Sequence, residues 1–193
     1  LGGKRMRKLF VLGVALAMAS TAFAAPNIVN VSQKGSVLVF PDIRVDQGGL
    51  PVGANYNTLV RINNDGPAYI HVKCFWMDGN KNRLDLSFNM TPFQPVWFDA
   101  RTGDGSSPVT PFPSLPSNGI GGPTGMGVLV CWAADIEEMN QLKYNHLYGS
   151  AQVLNGLGAA YEYSAYAFYA QVPGLDGTTV VGTGGDINLN GFY

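Results

Sequence analysis

The sequence predicts an all-β protein, an antiparallel β-sandwich with one long Gly/Pro-rich loop and at most one short helix. Three observations lead there. Only 13% of the residues are charged, while aromatics reach 11% and glycines number 25, a balance that suits strands joined by turns. Stretches of alternating apolar and polar residues recur along the chain, separated by Gly, Pro, Asn and Asp. About 169 residues remain once the amino-terminal segment is set aside, enough to bury one core and too few to favour two.

The strands follow in order. Val37 to Arg44 (VLVFPDIR) reads as a strand interrupted by Pro41, which places it at an edge or a bulge. In Asn57 to Asn63 (NTLVRIN), Leu59 and Arg61 oppose Val60 and Ile62, and Asn64-Asp65-Gly66-Pro67 is a turn signal. Tyr69 to Met77 (YIHVKCFWM) alternates, with Ile70, Val72, Cys74 and Trp76 on one face and His71 and Lys73 on the other. Asp78-Gly79-Asn80 turns the chain and Arg83 to Phe88 returns it as a hairpin; Pro95 to Asp99 is a further short strand. Residues 102–127 carry seven Gly, five Pro and one charge, a composition expected to hold no regular element. Val128 to Ala134 (VLVCWAA) is apolar enough to be central. Asp135-Ile136-Glu137-Glu138 fits a capping box, which makes 136–144 the best short-helix candidate. His146 to Asn155 and Tyr161 to Tyr169 read as closing strands. The second is Ala-rich and compatible with a helix, but its aromatic spacing favours a strand with Tyr161, Tyr163 and Tyr169 on one face. That gives seven or eight strands in all.

The amino terminus reads as an export signal. Met6 is the natural initiator, with residues 1–5 an extension ahead of it. Arg7 and Lys8 supply a basic start, Leu9 to Met18 is an apolar run of ten residues, and Ala22-Phe23-Ala24 is a small-x-small cleavage site, cut between Ala24 and Ala25. The run is half the length of a membrane span, so membrane contact is expected only through this transient segment. The domain organisation expected is an extension plus cleavable signal over 1–24 and one β-sandwich over 25–193 with its core at about 35–170, ending at Tyr193 with the look of a truncated frame. Removing Lys4, Arg5, Arg7 and Lys8 takes the basic count from 12 to 8 against 13 acidic residues, and the formal net charge from -1 to -5. A mildly acidic surface offers no phosphate-binding footprint, which argues against nucleic acid. The expected location is secreted or periplasmic, in a bacterium.

Thr58-Leu59-Val60-Arg61-Ile62-Asn63-Asn64-Asp65-Gly66, following Gly35-Ser36-Val37-Leu38-Val39-Phe40-Pro41, resembles strands of uncharacterised secreted proteobacterial Ig-like β-sandwich proteins. The likeness covers roughly residues 35–170 and implies an Ig-like antiparallel β-sandwich without an activity. The antibody pattern is not met: Trp76 lies two residues after the first Cys, and Leu129 stands where a corner Tyr would precede the second.

Cys74 and Cys131 are the only cysteines, each in a strand beside a Trp. In an oxidising compartment this predicts a disulfide across the sandwich core, contributing ~4 kcal/mol in the chain-entropy model. Two buried thiols are the alternative, and metal ligation lacks any supporting spacing. His71 and His146 are the only histidines, and no G-x-S-x-G, HExxH, phosphate loop or C-x-x-C-H motif accompanies them. Asp99, Asp104, Asp135, Glu137, Glu138 and Glu162 are scattered carboxylates, any pair of which a glycosidase would need across a cleft. Asp78 to Asn82 and Asp186 to Gly191 imitate calcium loops without completing them, and Leu115 to Gly119 is an internal loop rather than a sorting signal. The expectation is therefore no catalytic residue, no metal and no cofactor. The leading function is a non-enzymatic module with a structural or interaction role, its partners other protein subunits or surface glycans. One alternative is a carbohydrate-binding module that stacks sugars on Trp97, Tyr161, Tyr163, Tyr166 and Tyr169. The other is a secreted glycoside hydrolase.

Overall fold

The computed structural model describes residues 34–46, 56–77, 83–112, 124–156 and 160–183. The signal segment with Ala24 and Ala25, both calcium-loop look-alikes and Leu115 to Gly119 lie outside the described residues. Eleven strands and no helix occur among the described residues. Two antiparallel sheets pack together as a β-sandwich.

The larger sheet runs β10-β1-β6-β3-β4, with β7 on β6 and β11 on β7. Its members are β1 (Val37–Asp46), β3 (Ile70–Met77), β4 (Arg83–Met90), β6 (Thr124–Ala134), β7 (Asn140–Leu142), β10 (Tyr166–Phe168) and β11 (Val180–Thr183). The smaller sheet runs β5-β2-β8-β9, from β5 (Pro95–Asp99), β2 (Asn57–Asn64), β8 (Leu147–Leu154) and β9 (Ala160–Ser164). Period-two alternation feeds the core from both: Val60, Ile62, Val96, Phe98, Ala151 and Val153 from one sheet meet Leu38, Phe40, Val72, Trp76, Leu129 and Cys131 from the other, all at most 1% exposed. Trp76 meets Phe98 and Phe112 edge-on at 6.1 and 5.4 Å, and its indole N–H donates to the Thr110 carbonyl at 3.0 Å.

Pro41 sits where the sequence places it, at a bulge. Phe40 pairs with Leu129 and Ile43 with Gly127, so β1 spends one extra residue over Pro41 and Asp42. The bulge resets the alternation and turns Phe40, Ile43 and Val45 all inward.

Four expectations change. The stretch 102–127 is not wholly irregular: Thr124 to Gly127 extend β6 and pair with Ile43 to Asp46. Glycine suits that extension because a Cβ on Gly125 would lie 2.7 Å from the Phe112 ring. The proposed helix over 136–144 is a tight turn leading into β7. Asp135 takes Met139 N–H at 2.8 Å and Asn140 N–H at 3.1 Å on Oδ1, and Glu138 has φ 58°, outside helical space. The closing Tyr-rich segment is strand, as its aromatic spacing favours, but Tyr161, Tyr163 and Tyr169 do not share one face. At Ala165 the chain leaves the smaller sheet as β9 and enters the larger as β10. Finally, Cys74 and Cys131 form a disulfide, yet not between sheets. They are direct partners on neighbouring strands β3 and β6, with Cα atoms 4.0 Å apart.

Candidate functional site

That cysteine pair fixes the hydrogen-bond phase of the larger sheet. Directly opposed antiparallel residues alternate between bonded pairs and closer, unbonded pairs, and 4.0 Å belongs to the close kind. The backbone of Cys74 therefore points away from β6 and toward its β4 partner Leu86. The Ala133 N–H bond to the Ser36 carbonyl gives β6 the same phase. Along β4, Leu84, Leu86 and Phe88 bond to β3, while Arg83, Asp85, Ser87 and Asn89 direct their N–H and C=O groups to the outer edge.

The side chains of Asp85, Ser87 and Asn89 join a polar cluster on the outer face of the larger sheet. Glu138 is its hub. Its carboxylate pairs with the Lys73 ammonium, meets His71 Nε2 at 2.9 Å and accepts from Ser87. Lys73 also reaches Asp85 at 3.1 Å, and His71 Nδ1 meets Asn89 Oδ1 at 2.7 Å. Burial alone would raise the Glu138 carboxyl; hydrogen bonds from Lys73, Ser87 and His71 outweigh it and hold the group at about 2. For Lys73, burial pulls downward, and bonds to Glu138 and Asp85 overcome it, leaving the ammonium above its usual range. A left-handed backbone on a non-glycine residue costs about 1–3 kcal/mol; at Glu138 the ion pairs offset it. The Glu of the apparent capping box is thus drawn across the sheet instead of back to Asp135.

Beside this cluster lies an open trough of about 510 Å³. One side is Lys73, Asp85, Leu86 and Ser87; the other is residues 108–111, Pro-Val-Thr-Pro. This wall belongs to the segment after β5, which is pinned by Val109 N–H to the Gly103 carbonyl and Phe112 N–H to the Ala100 carbonyl, at 2.9 and 2.7 Å.

Two further clusters close other parts of the sandwich. At the β1 bulge, Asp42 accepts from Arg44 Nε at 2.8 Å and from Tyr161 Oη, while Tyr163 Oη donates to the Asp42 carbonyl at 2.7 Å. Burial raises the Asp42 carboxyl, but the bonds from Arg44 and Tyr161 bring it below its ordinary value; burial raises the Tyr163 phenol. At one end, His146 stands between Asp65 at 3.2 Å and Asp176 at 3.6 Å, with Lys34 on the first carboxylate and Lys143 on the second.

Of the proposed stacking residues, Tyr161 and Tyr163 come together, ring centroids 6.4 Å apart, on the inward face of β9 where they bind the bulge. Tyr166 lies in the larger sheet on β10 and Tyr169 just beyond it. Trp97 is half-exposed on the opposite, outer face of the smaller sheet, paired with Arg61. Tyr148, which sequence reasoning did not single out, shares that outer face and is 38% exposed. The larger sheet carries a second apolar cluster on its own outer face, Val37, Phe75, Val130, Trp132 and Ala134, with Phe75 edge-on to Trp132 at 4.9 Å and the Arg83 guanidinium 4.8 Å above Phe75. Asp85, Ser87, Asn89 and the 108–111 wall were also missed. Alternation along β4 is enough to put the three polar residues on one face; nothing in the sequence announces that Glu138 arrives there.

Among the described residues, no three His, Cys, Asp or Glu side chains gather as metal ligands. Comparison of the chain with protein-family models, with curated proteins and with solved structures found no match.

Proposed function

We propose that this protein is an exported bacterial β-sandwich module that acts by binding, in the periplasm or outside the cell, and does no chemistry of its own. The carrying observation is the state of its acids. Every described carboxylate with a resolved shift, Asp42, Asp135 and Glu138, is lowered. A general acid for glycoside cleavage needs a raised carboxyl. A carboxylate held at about 2 is too weak a base to take the proton of Ser87. The ion pairs of the Glu138 hub are closed on one another beside a trough that stands open. The core disulfide favours an oxidising compartment, in keeping with the expected signal peptide. The Ig-like resemblance enters this proposal as a likeness of architecture alone.

A panel of cell-envelope proteins and glycans on a biosensor, run beside ester and glycoside substrates, tests the reading. Saturable binding without turnover is expected. Turnover that disappears on Glu138→Gln overturns it. A narrower reading, carbohydrate binding, draws on the outer face of the smaller sheet, where Trp97 is 50% and Tyr148 38% exposed beside Arg61, Ser150 and Gln152. Aromatic surface next to hydrogen-bonding side chains suits a sugar ring. Glycan signals that vanish on Trp97→Ala would support it, and a blank array would remove it.

A further inference from the structure

We propose that the outer face of the smaller sheet binds an extended, electrically neutral polysaccharide chain, laid diagonally from Trp97 to Tyr148 so that every second sugar stacks on an aromatic ring. The inference rests on the carbohydrate reading above and names its glycan class. Three observations carry it.

First, the two aromatics are set at a sugar spacing. Alternation along the strands turns Trp97 of β5, Arg61 and Asn63 of β2 and Tyr148 of β8 away from the core. Trp97 lies directly across from Arg61, and Tyr148 directly across from Asn63. Two strand spacings and two residues of rise therefore separate Trp97 from Tyr148, about 12 Å at the backbone, close to the length of two pyranose units in an extended chain. Equatorial linkages turn successive sugars over, so the same ring face returns at every second unit. Second, the middle of that diagonal falls between Arg61 and Asn63. Among the described residues, no hydrogen bond or ion pair occupies Trp97 Nε1, the Arg61 guanidinium, the Asn63 amide or Tyr148 Oη. Their neighbours on the face are engaged: Ser150 donates to Glu162 at 2.7 Å, and Asp99 accepts from Asn57 Nδ2 at 2.6 Å. A sugar is an apolar ring face rimmed by hydroxyls, and it matches aromatic surface set beside unengaged donors. Third, the charges favour a neutral chain. Arg61 and, just past β5, Arg101 are set against Asp99, Asp104 and Glu162, so the face holds no excess positive charge for an acidic glycan to meet.

The same pattern argues against a protein on this face, whether another partner or a second copy of this chain. The centre of a protein interface is contiguous apolar surface, poor in charge. Here a guanidinium and an amide stand between the two rings, and burying them under a protein would leave their donors to be satisfied one by one. Glycan hydroxyls reach them while the rings stay stacked.

The test titrates the disulfide-bonded mature protein with cello-oligosaccharides of one to six units, with maltohexaose, whose axial linkages coil the same glucose, and with a galacturonate hexamer. Calorimetry gives the affinity. Trp76 and Trp132 are buried, so tryptophan fluorescence reports Trp97. Affinity is expected to rise about tenfold between two and three units, where the second ring gains its sugar, and to change little beyond. Maltohexaose and the galacturonate hexamer are expected to bind at least about tenfold more weakly than cellohexaose. Tyr148→Ala is expected to weaken cellohexaose about tenfold and to erase the step between two and three units, while Tyr148→Phe keeps it. Arg61→Ala with Asn63→Ala is expected to cost a similar factor. These side chains are outward-facing, and an unchanged urea midpoint checks that each variant is folded. Equal binding of maltohexaose, the absence of a length step, or a Tyr148→Ala variant that binds as the parent does overturns the proposal. Where glycans bind through Trp97 without the length step, this inference falls and the carbohydrate reading stands; a blank glycan array removes both. An envelope protein, or a second copy in sedimentation, that is lost on Trp97→Ala while the glycans stay silent assigns the face to a protein and overturns the proposal as well.

Discussion

The two sheets end in different ways on the same flank. β5, the edge of the smaller sheet, is capped by its own chain. Trp97 C=O accepts from Ser106 N–H at 2.9 Å, Trp97 N–H donates to the Ser106 hydroxyl at 2.9 Å, and Asp99 N–H donates to the Asp104 carbonyl at 2.7 Å. β4, the edge of the larger sheet, faces a trough instead. Exposed edges invite pairing, and proteins usually blunt them with charges or cover them. This molecule does one on each side: a loop backbone over β5, and Arg83, Asp85, Ser87 and Asn89 along β4. Cover uses up the backbone groups of an edge strand, whereas charge deters pairing without using them. The difference separates an edge covered by backbone from one dressed with polar and charged side chains.

Three perturbations bear on that contrast. The largest effect is expected from Cys74→Ala with Cys131→Ala. The bridge ties β3, the sole described partner of β4 within the sheet, to the central strand β6. Loss of about 4 kcal/mol is expected in urea denaturation, with amide exchange rising in β3 and β4 before β5. Uniform acceleration in all three strands would deny the two edges their separate support.

Next comes Gly105→Ala. A Cβ there would sit 2.1 Å from the Trp97 carbonyl oxygen, and no rotamer relieves a clash with backbone. The loop must lift, at a cost of about 2 kcal/mol, leaving Trp97 and Asp99 unprotected in hydrogen exchange. β5 would lose its backbone cover without the charged side chains that line β4, and concentration-dependent association in sedimentation is expected. A variant that stays monomeric would show that the cap is not what keeps β5 solitary.

The smallest is Glu138→Gln, expected to cost about 1.5 kcal/mol at neutral pH, the scale of one charge-assisted bond. Its signature is pH. The folded carboxyl lies at about 2, below its ordinary 4.5, so its contribution is complete above pH 4.5 and fades as pH falls toward 2. Chemical denaturation at pH 7, 4 and 2.5 should show the variant converging on the parent at the acid end. A constant gap would place the stabilisation elsewhere.

Much of the sandwich is legible in the chain because alternation is a local signal. Ile70, Val72, Cys74 and Trp76 announce their face, Pro41 announces its bulge, and Asn64 to Gly66 announce a turn. What failed were readings in which a distant group decides. Asp135 to Glu138 has the letters of a capping box, but Lys73 and His71, more than sixty positions away, claim the glutamate. Thr124 to Gly127, with glycine at two of the four positions, have little strand propensity and pair with the second half of β1. Tyr161 and Tyr169 looked co-facial because nothing near Ala165 marks a change of sheet. The disulfide pair was visible, yet whether it spans layers or neighbouring strands is topology, which spacing does not encode. The candidate site was the least legible part: its hub, its wall and its edge come from three separate stretches.

The crossing at Ala165 has a mechanical consequence. Apolar contacts between layers have no preferred direction and let one sheet glide over the other under load. Ala160–Ser164 is laced into the smaller sheet through five pairs and Tyr166–Phe168 into the larger through three, with a single residue between. Sliding the layers apart would stretch that covalent stitch and rupture two ladders together. The sandwich is therefore built to resist shear as one body, and to yield in both layers at once rather than by peeling.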